Sequence, residues 1–163
     1  MRTRIRLALT LLALSAAPAL ACPGSGGGMQ AIAPNGDVAM GDEVYYEAAR
    51  DYSVNANGDF DVSGCGGDLA QVDGYFTTQP SLDFELSYLG GLRLNFSVSA
   101  KCSAALLVYN HADGYWNLGN WISVDPNARA EVSIMNPSDG MYSVWVGTTD
   151  GTSCDAVVTL STS

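Results

Sequence analysis

The sequence has few of the residue types on which many enzymes and nucleic-acid-binding proteins depend. It contains a single histidine, His111, and only 7 lysine and arginine residues against 17 aspartate and glutamate residues. Such an acidic chain repels nucleic acid and anionic membrane surfaces, so no nucleic-acid partner is expected. His111 has no GxSxG or similar nucleophile motif nearby, which disfavours a Ser-His-Asp hydrolase.

Metal-binding cysteine motifs, helices and membrane spans are also missing from the pattern. The four cysteines form no CxxC pair, and His111 lies away from them in sequence, which disfavours a zinc site. Helical periodicity is almost absent. The one strongly apolar stretch, residues 7–17, is too short to span a bilayer comfortably, so no membrane span is predicted.

Residues 1–21 have the pattern of a secretory signal peptide. Arg2, Arg4 and Arg6 precede the apolar stretch, and Ala19-Leu20-Ala21 places small residues at the two positions that a signal peptidase reads. This pattern predicts a periplasmic or extracellular protein. Cleavage leaves 4 basic residues against 17 acidic ones, a net charge of about −13 that favours solubility.

Cys22 follows the predicted cleavage site directly and leaves a second interpretation open. A lipoprotein signal also ends before a cysteine, but it usually has leucine three residues upstream and a small residue two upstream. Ala19 and Leu20 stand in the opposite order, which favours export without a lipid anchor. The alternative is a structural protein of the cell envelope that is anchored through a lipid on Cys22.

The remainder of the chain is dominated by alternation of apolar and polar residues. Residues 22–43 are predicted as a flexible lead and first turn, and residues 44–163 as one β-sandwich domain. Alternation with a period of two is typical of strands with one buried face, as in antiparallel sheets. About nine short strands separated by turn signals predict an all-β fold, a single antiparallel β-sandwich. The clearest alternating runs are 82–88, 92–98 and 130–134.

Two glycine-containing dipeptides between alternating runs predict β-hairpins. Asn57-Gly58 separates the run 52–56 from Phe60 and Val62. Gly90-Gly91 joins the runs 82–88 and 92–98 in the same way. Such dipeptides suit the tight turns that connect paired antiparallel strands.

The even number of cysteines in an exported chain predicts disulfides. Cys102 has the same strand parity as Ala104, and Cys154 has the same parity as Ala156, so both sulfur atoms are expected to face the core. This predicts a Cys102–Cys154 bridge that staples two late strands. A Cys22–Cys65 bridge then follows by elimination, whereas lipidation of Cys22 would leave Cys65 free.

Three segments resemble the bacterial pre-peptidase C-terminal domain, in the stand-alone secreted versions known from proteobacteria. They are Cys102–Asn110 (Cys-Ser-Ala-Ala-Leu-Leu-Val-Tyr-Asn), Asp113–Trp116 (Asp-Gly-Tyr-Trp) and 139–148, which begins Asp-Gly-Met-Tyr-Ser-Val-Trp. The resemblance covers roughly residues 44–162. It implies a jelly-roll-like sandwich that has no catalytic residues of its own and accompanies secreted hydrolases.

The resemblance also raises the prediction of calcium binding, because many members carry aspartates after the tryptophan-containing turn. This chain has asparagines there, whose carbonyl oxygens can bind calcium without adding formal charge. The predicted calcium ligands are Asn110, Asp113, Asn117, Asn120 and Asp125.

The same loop collects side chains that suit a glycan or a secreted protein partner. Exposed aromatic rings on the rim of a sandwich can stack on sugar faces. The predicted ligand-binding residues are His111, Tyr115, Trp116 and Trp121. The favoured function is therefore a non-catalytic binding or accessory module, and the disfavoured alternative is a secreted hydrolase or peptidase. Tyr142, two residues after a turn glycine, is predicted to be a structural tyrosine corner.

Overall fold

The structure is a computed structural model that describes residues 39–40, 49–87, 89–118 and 129–163, with residues 39 and 40 described for the backbone only. These residues form eleven strands and two short 3₁₀ turns, Val62–Gly64 and Gly67–Gln71. The strands are β1 (Ala39–Met40), β2 (Arg50–Ala56), β3 (Phe60–Asp61), β4 (Tyr75–Phe76), β5 (Leu82–Leu86), β6 (Arg93–Ala100), β7 (Ala104–Asn110), β8 (Tyr115–Leu118), β9 (Ala130–Met135), β10 (Gly140–Thr148) and β11 (Cys154–Thr162).

The strands form two sheets, so the predicted all-β sandwich is confirmed. In sheet A, β10 is central, with β7 and then β8 along one edge. Its other edge pairs first with β5 and then with β4, which pairs with β3. Sheet B has the order β2-β11-β6-β9. The described pairings are antiparallel except for β1, which lies parallel to β5 and comes from the segment predicted as a flexible lead.

The main core lies between the two sheets and follows the predicted alternation. Leu82, Phe84 and Leu86 of β5 are buried, and so are Leu94, Phe96 and Val98 of β6. Burial of each such side chain contributes about 1.5–3 kcal/mol relative to exposure. The two sets come from opposite sheets and meet in the middle, where Phe84 and Phe96 have ring centroids 5.9 Å apart.

A second, smaller core covers part of the outer face of sheet A. Residues 60–76, termed the covering segment, begin and end in the sheet A strands β3 and β4, and they bury Val62, Leu69 and Phe76 against Leu107 and Trp145. Sheet A is therefore covered on both faces at this point, by sheet B on one and by the covering segment on the other. Cys65 belongs to this second core and is disulfide-bonded, but the predicted partner, Cys22, lies outside the described residues.

Both predicted hairpins are wrong in the same way, because each glycine dipeptide joins strands of different sheets. β2 pairs with β11 in sheet B, whereas β3 pairs with β4 in sheet A. Likewise, β5 belongs to sheet A and β6 to sheet B. A turn dipeptide reports that the chain changes direction, but strand pairing depends on which neighbours share a sheet.

Gly58 is needed for close packing rather than for a hairpin turn. A Cβ atom at this position would lie 2.2 Å from the carbonyl carbon of Phe76. Neither Asn57 nor Gly58 has the positive φ that a type I′ hairpin turn requires at both central residues. The glycine therefore allows the chain leaving sheet B to pass directly over β4.

The predicted Cys102–Cys154 bridge is confirmed, and it joins the two places where the chain crosses between the sheets at one end of the sandwich. Residues 101–103 lead from β6 to β7, and residues 149–153 lead from β10 to β11. Thr149 N donates a hydrogen bond to Ser103 O across the same two connections. Closing a loop with a sequence separation of 52 stabilises the fold by about 4 kcal/mol in the chain-entropy model.

We expect Gly58→Ala to lower the free energy of unfolding by about 1–3 kcal/mol, because the added methyl group meets main-chain atoms that cannot move aside independently. Gly64→Ala is the matched control, since a Cβ there meets no atom within 4 Å. Urea unfolding of both variants measures the difference. Equal stabilities would mean that Gly58 is not required for the crossing over β4.

Candidate functional site

Four ring side chains lie in contact along the outer face of sheet A, beside the covering segment. We call His111, Tyr109, Trp116 and Trp145 the aromatic row. Successive ring centroids are 4.9 Å apart for Tyr109 and His111, 5.0 Å for Tyr109 and Trp116, and 5.2 Å for Trp116 and Trp145. Distances of this size are typical of favourable aromatic pairs.

Strand register places these rings on one face. Tyr109 of β7 lies opposite Trp116 of β8 on one side and opposite Ser143 of β10 on the other. Trp145 follows Ser143 by two residues and therefore shares its face, and His111 follows Tyr109 in the same way. Exposure increases along the row: Trp145 is buried, Tyr109 and Trp116 are half-buried, and His111 is exposed.

A hydrogen-bonded chain leads from the exposed histidine to a buried carboxylate. His111 Nε2 lies 2.8 Å from Ser143 Oγ, and Ser143 Oγ donates a short hydrogen bond to Asp83 Oδ1. Asp83 lies directly opposite Ser143 in the β5–β10 pair. Asp83 and Ser143 are each only 2% exposed, so His111 is the one member of this chain that solvent reaches freely.

Burial dominates the electrostatics of Asp83. Loss of hydration raises the pKa of Asp83 above its ordinary value, against the smaller lowering effects of the Ser143 hydrogen bond and of His111. Among the described residues, neither Asp83 Oδ2 nor the Nε1 of the neighbouring Trp145 has a hydrogen-bond partner. Buried polar atoms without partners are uncommon in folded proteins, and each one calls for a specific explanation.

The order of the three side chains, Asp83–Ser143–His111, does not suit nucleophilic catalysis. In a catalytic triad the histidine stands between the acid and the serine, so that it can remove the hydroxyl proton. In this chain the serine stands in the middle, and its hydroxyl hydrogen already goes to Asp83. Ser143 is also too deeply buried to meet a substrate. The arrangement can orient the His111 ring but cannot generate a serine nucleophile in this geometry.

Two of the predicted calcium ligands help to build the turn after β7. Asn110 is buried and its Oδ1 accepts hydrogen bonds from the backbone N–H groups of Ala112 (2.9 Å) and Asp113 (3.4 Å). Its Nδ2 donates to Asp113 Oδ2 at 2.7 Å and to the Tyr142 hydroxyl at 3.0 Å. Asp113 Oδ1 accepts a hydrogen bond from the Ser138 hydroxyl. Oxygen atoms of both residues are thus engaged within the fold.

The remaining predicted calcium ligands are divided between β8 and an adjoining segment. Asn117 lies on β8 opposite Val108, and Asn120 and Asp125 lie outside the described residues. Within the described ranges, no group of three or more His, Cys, Asp or Glu side chains is placed to hold a metal ion. Calcium binding by this loop stays a prediction.

The predicted ligand-binding residues are only partly brought together. His111 and Trp116 both belong to the aromatic row, with Tyr109 between them. Tyr115 is 66% exposed but lies opposite Asn110, so its side chain is on the other face of sheet A. Trp121 lies outside the described residues.

Sequence reasoning missed Asp83, Ser143 and Tyr109 as members of the site. The pattern Tyr-Ser-Val-Trp-Val at 142–146 carried a signal, because large apolar residues on both faces indicate a strand that is buried on both sides. A serine in such a strand needs a partner on a neighbouring strand. The pattern does not reveal that Asp83 is that partner.

Tyr142 is a structural residue, as its position predicted. Its hydroxyl donates to the carbonyl oxygen of Ser138, four residues upstream, and accepts a hydrogen bond from Asn110 Nδ2. The side chain is fully buried. Burial, together with the charges of Asp113 and Asp139, raises the pKa of Tyr142 to about 12.

We expect Tyr142→Phe to lower the free energy of unfolding by about 1–3 kcal/mol at pH 8, because it leaves the Ser138 carbonyl and one Asn110 N–H without a partner. Tyr52→Phe is the control, since within the described part of the chain the Tyr52 hydroxyl makes no hydrogen bond; we expect a change within about 0.5 kcal/mol. The pKa of Tyr142 rises from 10.0 to about 12 on folding. The contribution of the neutral hydroxyl to stability is therefore complete below pH 10 and is lost as the pH rises toward 12. The gap between wild type and Tyr142→Phe should therefore narrow at pH 11, and a constant gap would contradict this account.

We expect Asp83→Asn to leave the melting temperature at pH 7 unchanged or higher, because it removes a buried charge with one unpartnered oxygen. Because burial raises the pKa of Asp83, ionisation of this side chain lowers the stability of the wild type at pH values above the folded-state pKa. This loss of stability disappears below the unfolded-state pKa of 3.8. Any advantage of the variant should thus shrink as the pH falls toward 3.8. Glu85→Gln, at an exposed position on the same strand, is the control. A marked loss of stability in Asp83→Asn at pH 7 would show that the carboxylate stabilises the fold.

Among the described residues, no helix is long and apolar enough to cross a membrane.

No protein-family model matches the chain, and no curated protein is significantly similar to it in sequence.

Proposed function

We propose that this protein is a non-catalytic binding module that acts outside the cytoplasm and holds its ligand against the exposed part of the aromatic row. The observation that carries the proposal is the unbroken contact of His111, Tyr109 and Trp116 on one face of sheet A. The second core covers Trp145 but leaves His111 exposed and Tyr109 and Trp116 half-buried. Rings that are anchored in a sheet and open on one side form a rigid binding surface.

The geometry around His111 supports binding rather than catalysis. Ser143 is buried and donates its hydrogen to Asp83, and His111 is the only histidine of the chain. The described cysteines are disulfide-bonded, so none of them offers a free thiol. His111 is therefore better suited to contact a ligand than to activate a serine.

The disulfides also support export. Cys102–Cys154 and the bonded state of Cys65 suit an oxidising compartment, in agreement with the signal-peptide pattern of residues 1–21. The lipid-anchored interpretation leaves Cys65 free, whereas Cys65 is disulfide-bonded in the structure. This favours a protein that is released without an anchor. The resemblance to the pre-peptidase C-terminal domain is part of this proposal and implies an accessory role beside secreted hydrolases.

The experiment compares Trp116→Ala with Tyr115→Ala in the mature domain, residues 22–163. The two residues are neighbours on β8, but only Trp116 belongs to the aromatic row. Native affinity electrophoresis in gels that contain xylan, hydroxyethyl cellulose, laminarin, glycol chitin, gelatin or casein measures binding. We expect the wild type and Tyr115→Ala to be retarded by at least one polymer, and Trp116→Ala to bind it about tenfold more weakly, which corresponds to about 1.4 kcal/mol.

Thermal melting of each variant shows that it is folded, and Trp116→Phe replaces Trp116→Ala if the alanine variant is not. Two results would overturn the proposal. One is equal binding by Trp116→Ala and the wild type. The other is that none of the six polymers retards the wild type.

A further inference from the structure

The hydrogen bonds of the Asp83–Ser143–His111 chain have a defined direction. An ionised carboxylate only accepts hydrogen bonds, so the single hydroxyl hydrogen of Ser143 goes to Asp83. Ser143 Oγ then has only lone pairs to offer His111, and Nε2 of the ring must donate the 2.8 Å hydrogen bond. The neutral ring is therefore protonated on Nε2 and carries its lone pair on Nδ1.

A second contact and the backbone also position the ring. Tyr109 packs against His111 in an edge-to-face arrangement, with an interplanar angle of 84°. The backbone N–H of His111 donates to the carbonyl oxygen of Met141 at 3.0 Å. Within the described part of the chain, Nδ1 has no hydrogen-bond partner, and the residue is exposed. Nδ1 is thus a hydrogen-bond acceptor of fixed direction beside the half-buried rings of Tyr109 and Trp116.

The burial of Asp83 is costly for a residue without a role. On the same face of sheet A, Leu107 and Trp145 are buried against the covering segment. A carboxylate buried beside them, with Oδ2 unpartnered, loses hydration that one serine hydrogen bond does not replace. In the described geometry, Asp83 orients the Ser143 hydroxyl and, through it, the His111 ring.

We propose that Asp83 and Ser143 are positioning residues that hold His111 as the acceptor for a hydroxyl group of a neutral glycan lying on Tyr109 and Trp116. This inference rests on the proposed function, whose aromatic surface it uses, and it names the class of ligand. A ligand at Nδ1 must supply a hydrogen on oxygen or nitrogen. The rings supply flat apolar faces suited to the C–H faces of sugar units.

Charge and shape favour a neutral glycan over the other donors. The net charge of −10 disfavours acidic polymers. Asp83 is too buried to pair with a cationic side chain, and both oxygens of Asp113 already accept hydrogen bonds, from Asn110 and Ser138. The exposed surface near His111 is a row of rings rather than a point charge, which suits an extended chain of repeating units.

The binding test uses two replacements of His111 that divide the functions of its two nitrogens. His111→Asn puts an amide close to the position of Nδ1 and keeps an acceptor there, but it does not reach Ser143. His111→Gln extends to the position of Nε2, where its amide can donate to Ser143, but it has no acceptor at Nδ1. Because the position is exposed, both variants are expected to fold with the stability of the wild type.

Calorimetric titration with xylohexaose, cellohexaose, laminarihexaose and chitohexaose measures the affinity of each variant. We expect at least one oligosaccharide to bind the wild type, His111→Asn to bind it within about threefold, and His111→Gln and Ser143→Ala to bind it about tenfold more weakly. Undiminished binding by His111→Gln would overturn the inference, and so would an equal loss in His111→Asn and His111→Gln.

Nuclear magnetic resonance of the ring nitrogens tests the positioning role without a ligand. His111 is the only histidine, so the ¹⁵N signals of the imidazole need no assignment among residues. We expect the neutral wild-type ring to be protonated on Nε2 alone. In Ser143→Ala and Asp83→Ala, the second tautomer should gain population, because the hydroxyl no longer forces Nε2 to donate. An unchanged tautomer ratio in both variants would overturn the positioning role.

The failure of this inference differs from the failure of the proposed function. One outcome is that the wild type binds only gelatin or casein and that Trp116→Ala loses this binding. That result supports the aromatic binding surface but contradicts a glycan ligand. Binding of poly-lysine in place of the four oligosaccharides has the same meaning and identifies a cationic ligand. Equal glycan binding by Trp116→Ala and the wild type overturns the aromatic surface itself.

Discussion

The burial of β10 on both faces is the constraint on which the rest of the structure depends. Residues 142–148 of this strand are buried without exception, and its two edges pair with β7 on one side and with β5 and β4 on the other. One face of such a strand can be covered by sheet B, but the other needs a second cover, which the covering segment supplies with Val62, Leu69 and Phe76. Ser143, whose side chain lies on that outer face, must find its partners within the protein. It finds them in Asp83 and His111, so the candidate site results from the same constraint that organises the fold.

Much of the sandwich could be predicted from the sequence, because period-two alternation directly encodes which side chains face the core. Leu82, Phe84 and Leu86, and likewise Leu94, Phe96 and Val98, are buried as their alternation indicates. The assignment of strands to sheets could not be predicted in this way. Gly58 and Gly90-Gly91 both carry the chain from one sheet to the other. Across Gly90-Gly91 the inward faces of both strands stay apolar, as they would in a hairpin. Alternation is therefore the same for a hairpin and for a crossing.

The candidate site was predictable to the extent that it is local in sequence. His111 and Trp116 belong to one loop and strand, and they could be recognised as ligand-binding candidates from that segment alone. Asp83 and Ser143 are 60 residues apart, and only the register of β5 against β10 brings them together. Alternation places Tyr115 and Trp116 on opposite faces of β8, but it does not say which face is the outer one. The pairing of Trp116 with Tyr109 decides this and puts Tyr115 outside the aromatic row. Asn110 and Asp113 were predicted as calcium ligands because their side chains carry oxygen atoms. In the structure these side chains instead form hydrogen bonds within the turn after β7.

The Cys102–Cys154 bridge has a consequence for how the sandwich responds to force. β2 and β11 run antiparallel, with Arg50 opposite Leu160 at one end and Ala56 opposite Cys154 at the other. A pull on the chain before Arg50 and after Thr162 would act on the same end of this pair and would open its hydrogen bonds one after another, as a zipper opens. The pair ends at Cys154, where the bridge ties β11 to Cys102, just before β7 in the opposite sheet. Tension on the ends of this pair would thus separate β2 from β11, while the bridge keeps the start of β11 tied to sheet A.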